Sequence, residues 1–235
     1  MLKIVNFTKK YGDKVAVDNL SLEIKNGEIC GFIGHNGAGK TTTLKAAIGL
    51  LSFDSGEIFI DGISIKERPL EAKKLVAYIP DNPELYDYLT GIKYLNFVAD
   101  VYGIGEERNS LIKEYSERLG LTDSLASPIG SYSHGMKQKI AIISAWIHSP
   151  KFIMMDEPFV GLDPKASFTL KEMMREHCDK GGSIFFSTHV LDVAEKLCDR
   201  IAIIKSGKLV TVGNTDEVKG NETLEEVFLE LEETE

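Results

Sequence analysis

Gly34-His35-Asn36-Gly37-Ala38-Gly39-Lys40-Thr41 follows an apolar run at 29–33 and leads into a helical-looking stretch at 42–50. A strand feeding a G-x-x-x-x-G-K-[ST] loop that opens a helix is the context in which this spacing means phosphate binding. Glycines at 34, 37 and 39 let the backbone curl so that successive N–H groups face phosphate oxygens with no Cβ in the way. The positive end of the following helix adds to that field. Lys40 supplies a point charge for the β- and γ-phosphates, and the Thr41 hydroxyl is a ligand for Mg²⁺. His35, Asn36 and Ala38 within the loop and Thr42 just after it complete the candidate cradle.

Composition bounds what surrounds that loop. A chain of 235 residues with 43% hydrophobic content fits one large domain, or one core carrying an inserted subdomain. No apolar run approaches the roughly 20 residues needed to span a bilayer. The start, Met1-Leu2-Lys3-Ile4, lacks the apolar region and cleavage site of a signal peptide. A soluble chain is therefore expected, with any membrane role coming through a partner. Three cysteines, Cys30, Cys178 and Cys198, show no metal-ligand spacing, and an odd number speaks for reduced thiols over a disulfide framework. A formal charge of −9 argues against broad binding to nucleic acid, which needs a basic face.

The pattern along the chain points to an α/β fold with a mostly parallel sheet. β-rich runs at 2–7, 15–24, 28–33 and 57–60 come early, the last ending in an Asp61-Gly62 turn. Because no helices separate most of them, they suggest a small antiparallel layer beside the main sheet. Further strand patterns fall at 75–79, 152–155, 183–186, 201–204 and 209–212; strands alternating with helices imply a parallel sheet covered on both faces. Between about 80 and 145 the period becomes helical, with Ile92, Leu95, Val98, Ala99 and Tyr102 on one stripe. The whole of 1–235 is thus expected to be one domain with a helical insertion at 80–145. An amphipathic helix is expected over 221–235, from Leu224, Val227, Phe228 and Leu231, opened by a Thr223/Glu226 capping box.

Three further stretches are candidates for completing the phosphate site. Residues 152–157, Phe-Ile-Met-Met-Asp-Glu, form an apolar run ending in adjacent acids. A buried strand can deliver both to the carboxyl edge of the sheet, where open α/β sheets bind ligands. Asp156 would then hold Mg²⁺ and Glu157 would orient or deprotonate a water at the γ-phosphate; the alternative is a strand end with two solvated carboxylates. Ser133-His134-Gly135-Met136-Lys137-Gln138 opens a helix, either as a second anion-binding terminus or as an ordinary N-cap. His189 follows the strand at 183–186, where it serves either as a donor to γ-phosphate or as a structural histidine.

Taken in order, these motifs resemble the nucleotide-binding subunit of an ABC transporter, over nearly the whole length from Tyr11 to the C-terminal helix. The resemblance assigns Tyr11 to an aromatic adenine-stacking loop and 34–41 to the Walker A loop. It assigns 79–86 to the Q-loop region, 133–138 to the signature, Asp156 and Glu157 to Walker B with its catalytic acid, Gly161-Leu162-Asp163 to the D-loop and His189 to the H-loop. Two positions depart from the family pattern. His134 stands where the signature usually has a second Gly, although Ser133 and Gly135 are kept. Asp81 stands where the Q-loop Gln is expected, with Asn82 as the amide if the register slips by one. A carboxylate at 81 can still approach Mg²⁺ or its waters.

The family implies ATP and Mg²⁺ as ligands, with ATP bound between the phosphate loop of one cassette and Ser133 and Gly135 of another, in a homodimer or heterodimer. Glu157 would be the base, His189 and Lys40 would hold the γ-phosphate, and Asp163 would bridge the two chains. A separate integral membrane subunit would receive the aromatic segment around Leu85, Tyr86, Tyr88, Leu89 and Tyr94, unless those residues are core packing. The chain would then sit at the cytoplasmic face of the cell membrane. The wording of 132–139, with the final Leu-Glu-Glu-Val-Phe-Leu-Glu-Leu at 224–231, resembles ABC-2-type exporter subunits, and the short stretch after His189 also favours an exporter-type cassette. The rival is a soluble ABC ATPase of the iron–sulfur assembly type. A GTPase is disfavoured because no N-K-x-D pattern is present, and a Rossmann dinucleotide site because the glycine spacing is wrong.

Overall fold

The computed structural model describes residues 1–233, with side chains through 231. The chain runs β1 (Leu2–Tyr11), β2 (Lys14–Ile24), β3 (Ile29–Ile33), α1 (Lys40–Ala47), β4 (Ser55–Ile60), β5 (Ile63–Ser64), α2 (Pro69–Lys74) and β6 (Val76–Ile79). Three helices follow, α3 (Gly91–Val101), α4 (Arg108–Arg118) and α5 (His134–Trp146). Then come β7 (Phe152–Asp156), α6 (Pro164–Asp179), β8 (Ser183–Thr188), α7 (Leu191–Leu197), β9 (Arg200–Lys205), β10 (Lys208–Asn214), α8 (Thr215–Lys219) and α9 (Leu224–Glu233).

Two sheets result. The larger has the order β10-β9-β3-β8-β7-β6; all its pairings are parallel except the β9–β10 hairpin at one edge. The smaller, β2-β1-β4-β5, is antiparallel. β3 shows why the apolar runs are unbroken. Ile29 and Ile33 face one core, with Met155, Phe186 and Ile140, while Cys30 and Phe32 face another, with Phe7, Leu44 and Phe185. With both faces covered, a period-two alternation of polar and apolar residues has no reason to appear.

α1 is buried through Leu44, Ala46 and Ala47, in the core shared with the small sheet. α5 joins the other core through Ile140, Ile142 and Ile143, together with Leu95 of α3 and Ile112 of α4. The three helices between β6 and β7 therefore share a core with one face of the parallel sheet. Several bounds differ from the sequence pattern. α1 starts at Lys40, because the loop passes directly into helix at Gly39. β1 continues past Phe7 to Tyr11, since its bulged register keeps Lys10 opposite Val15. The last two residues of 221–235 lie outside the described residues. No described helix is long and apolar enough to cross a membrane.

Candidate functional site

The parallel register gathers the loops after β3, β7 and β8 on one edge, because Ile33 pairs with Thr188 and Asp156 with Ser187. The phosphate loop begins at Gly34, Glu157 follows β7 and His189 follows β8. Gly39 ends the loop with φ of 113°, a conformation side-chain-bearing residues rarely adopt. A Cβ there would lie 2.8 Å from the Ala16 carbonyl oxygen. The small antiparallel sheet therefore presses on the loop from below, and only glycine admits that approach.

Inside the loop, Lys40 is bent back over its own backbone. Its Nζ donates to the Gly34 carbonyl at 2.5 Å and the His35 carbonyl at 3.3 Å, and lies 3.8 Å from Glu157 Oε1. Burial pulls the Lys40 pKa down, and the charges of Glu157 and Asp156 oppose that pull. Thr41 Oγ1 donates to Asp156 Oδ2 at 2.6 Å, and Ser187 Oγ donates to the other carboxylate oxygen. Glu157 sits at φ 48°, and its N–H donates to Ser187 Oγ at 3.1 Å. That left-handed turn re-aims the second acid of the pair away from the strand direction. His189 Nδ1 lies 2.9 Å from Glu157 Oε1, at ion-pair distance but without hydrogen-bond geometry, and both Glu157 oxygens are buried with no hydrogen-bond partner.

These residues border a cleft of about 320 Å³ lined by Tyr11, Asn36, Gly37, Thr42, Asp81 and Glu157, among others. His35, Gly39, Lys40, Thr41 and Asp156 also line it, whereas Gly34 and Ala38 are buried beside it. Tyr11 is half exposed, with Lys9 Nζ 5.0 Å from its ring centre. Thr41, Asp156 and Asp81 offer hard oxygen donors, and few protein ligands suffice for Mg²⁺ when phosphate supplies the rest. A larger cavity, about 420 Å³ around Trp146, His177 and Lys180, opens at the amino ends of β3, β7 and β8. It has no phosphate-directed loop, and ligands of open sheets bind at the opposite edge.

Ser133 and Gly135 are not in the cleft. Ser133 Oγ caps α5, accepting from Met136 N–H at 3.3 Å, and the residue is exposed. Gly135 packs so tightly on the Gly161 carbonyl that a Cβ would collide with it, and the His134 ring fills the space a side chain at 161 would need. Lys139 Nζ is 2.7 Å from Asp163 Oδ2, while Asp163 caps α6 through Ala166 N–H at 2.9 Å. The Lys139 hydrogen bond holds the Asp163 carboxyl below the usual range. The 133–139 segment and the 161–163 turn are thus joined into one unit, with Ser133, His134, Gly161 and Asp163 at its exposed side.

Sequence reasoning missed Ser187, whose signal was a polar residue directly after the apolar run at 184–186. It also missed Lys14 and Ala16, which line the cleft from a strand with no motif, and Phe228, whose ring meets His35 edge-on at 5.0 Å.

A glycine-rich loop between strand and helix, with two acids at the end of the second strand over, defines a nucleotide-binding P-loop protein. Residues 17–160 match the family described as ABC transporter. The linearmycin resistance ATP-binding protein LnrL of Bacillus subtilis is 36% identical over 214 residues, 91% of this chain and 69% of that protein. A solved ATP-binding subunit of an ABC transporter superposes with a TM-score of 0.95 at 34% identity, covering 99% of this chain and all of the other. The cassette MJ0796, solved as a dimer in a post-hydrolysis state bound to ADP and Pi, gives 0.83 at 26% identity, over 92% of this chain and 99% of that one. The chain belongs to the ABC transporter family, as one of its ATP-binding subunits.

Proposed function

We propose that the chain hydrolyses ATP as one half of a head-to-tail pair of cassettes and that this drives a separate membrane-embedded subunit, in an exporter. The carrying observation is the division of the site: the phosphate loop, Asp156 and Glu157 share one cleft, while Ser133 and Gly135 lie outside its lining. A second cassette, homologous or identical, would bring its Ser133–Gly135 segment to the open side. The dimeric form of the MJ0796 cassette supports this arrangement.

Within each half, Tyr11 would stack on adenine. N–H groups of 37–42 and the Lys40 ammonium would hold the phosphates, Lys40 exchanging its backbone carbonyls for phosphate oxygens. Thr41 and Asp156 would hold Mg²⁺, with Asp81 beside it; the ion supplies charge neutralisation between the β- and γ-phosphates. Glu157, turned toward the cleft, would take a proton from the attacking water, and His189 would fix that carboxylate and meet the γ-phosphate. After hydrolysis the γ-phosphate no longer bridges the halves, which favours opening, as in other phosphate switches.

The membrane partner would dock on the aromatic surface of α3 and the preceding loop, where Tyr86, Tyr88 and Phe97 are exposed and the Tyr86 ring lies 5.9 Å from each of the other two. The chain would then sit at the cytoplasmic face of a membrane, held by its partner. Export is supported by the resistance function in the name of LnrL. The test is phosphate release from MgATP by the purified chain: abolition by Glu157→Gln with retained ATP binding supports the assignment, and unchanged turnover removes it.

A further inference from the structure

Helix α9 does more than close the core. Its N-terminus is held by a Thr223/Glu226 exchange, with Thr223 N–H donating to Glu226 Oε2 at 2.8 Å and Glu226 N–H to Thr223 Oγ1 at 3.2 Å. Leu224 N–H donates to Glu195 Oε2 at 2.9 Å, and Glu195 also meets Lys219 Nζ at 3.2 Å. Glu195 belongs to α7, the helix that starts just after His189. Toward its other end, Lys205 Nζ donates to the Leu231 carbonyl at 3.1 Å. Between these anchors the Phe228 ring, largely buried, meets the His35 ring edge-on at 5.0 Å. His35 lies in the phosphate loop, and its carbonyl accepts from both Ala38 N–H at 3.1 Å and Lys40 Nζ at 3.3 Å.

We propose that α9 is a strap across the back of the nucleotide cleft, in which Phe228 positions the first turn of the phosphate loop through the His35 ring. The inference rests on that cleft being the ATP site. His35 is the hinge of the contact: its ring faces the strap while its backbone faces Lys40. An edge-to-face pair depends on the ring, not only on apolar volume. The strap links the phosphate loop to α7, so the two regions that meet the γ-phosphate share one support. Because Phe228 does not line the cleft, its effect falls on nucleotide affinity more than on the chemical step.

The test is equilibrium binding of MgATP to the full chain by calorimetry, in a Glu157→Gln background that prevents turnover. Phe228→Leu keeps apolar volume but loses the ring, and binding is expected to weaken about three- to tenfold. Phe228→Tyr keeps the ring and stays within about twofold of the parent. In a His35→Ala background, Phe228→Leu has no further effect, since the contact is already gone. Leu229→Ala, on the exposed face of the same helix, leaves affinity unchanged. Equal affinity of Phe228→Leu and the parent, or an equal penalty with and without the His35 ring, overturns the strap. A parent that fails to bind MgATP overturns the cleft assignment instead, so the two failures are distinct.

Discussion

The nucleotide cleft and the signature face are built from the same kinds of parts and finished to different degrees. In the cleft, the loop and the two acids are already joined: Lys40 reaches the Gly34 carbonyl, Thr41 reaches Asp156, and His189 lies against Glu157. On the signature face, Ser133 caps its own helix and Gly135 is locked to the 161 carbonyl, and neither lines the phosphate-loop cleft. In the proposed cycle, binding would begin on one surface alone, while hydrolysis would need both. The rigid join between α5 and the 161–163 turn means that the signature face would be presented to a partner as a block.

That contrast can be broken by substitutions that strike one region only. Glu157→Gln is expected to have the largest effect, lowering turnover by about 10²-fold or more, with ATP binding preserved; steady-state phosphate release and equilibrium binding check the two halves of the statement. Gly135→Ala, which pushes on the Gly161 carbonyl, is expected to lower turnover by about tenfold or more, since a donor aimed at developing charge acts chiefly in the transition state. Binding of ATP to the isolated chain should stay unchanged, and a matching loss of affinity would show that the two regions are not separate. Tyr11→Ala should weaken ATP binding by about three- to tenfold, read by titration, with little change in turnover at saturating ATP.

Acid supplies the mildest perturbation, and it should act outside both regions. Burial pushes His177 from its ordinary value near 6.5 down to about 4. Above 6.5 the ring is neutral whether the chain is folded or not. Below it, the unfolded chain takes up a proton that the folded ring refuses, so stability falls as pH drops toward 4. Thermal melts should decline through that window, and His177→Gln should flatten the decline. If the variant instead changes ATP affinity at neutral pH, the cavity at the amino edge is coupled to the cleft and the contrast needs redrawing.

Much of this frame was legible in the chain because chemistry restricts the residue types. Only glycine passes Gly39 beneath Ala16, and a doubly covered sheet forces apolar runs such as 152–155 and 183–186. The two acids at 156 and 157 were visible as a pair, but the turn that separates their directions was not, since it depends on the positive φ at Glu157 and on Ser187 beneath it. Phe228 read only as one apolar position on an amphipathic helix. Its contact with His35 spans most of the chain, and no local spacing encodes such a meeting. The antiparallel edge formed by β10 was similarly hidden, because a strand pattern carries no information on its direction.

In the proposed cycle two cassettes close on ATP, and the mass of the protein in solution reports that closure. Sedimentation of Glu157→Gln with MgATP is predicted to show a doubling of mass that ADP does not produce and that Gly135→Ala reduces. A chain that binds MgATP in the cleft yet remains a monomer at every nucleotide concentration, alone and with its membrane partner, would contradict the account.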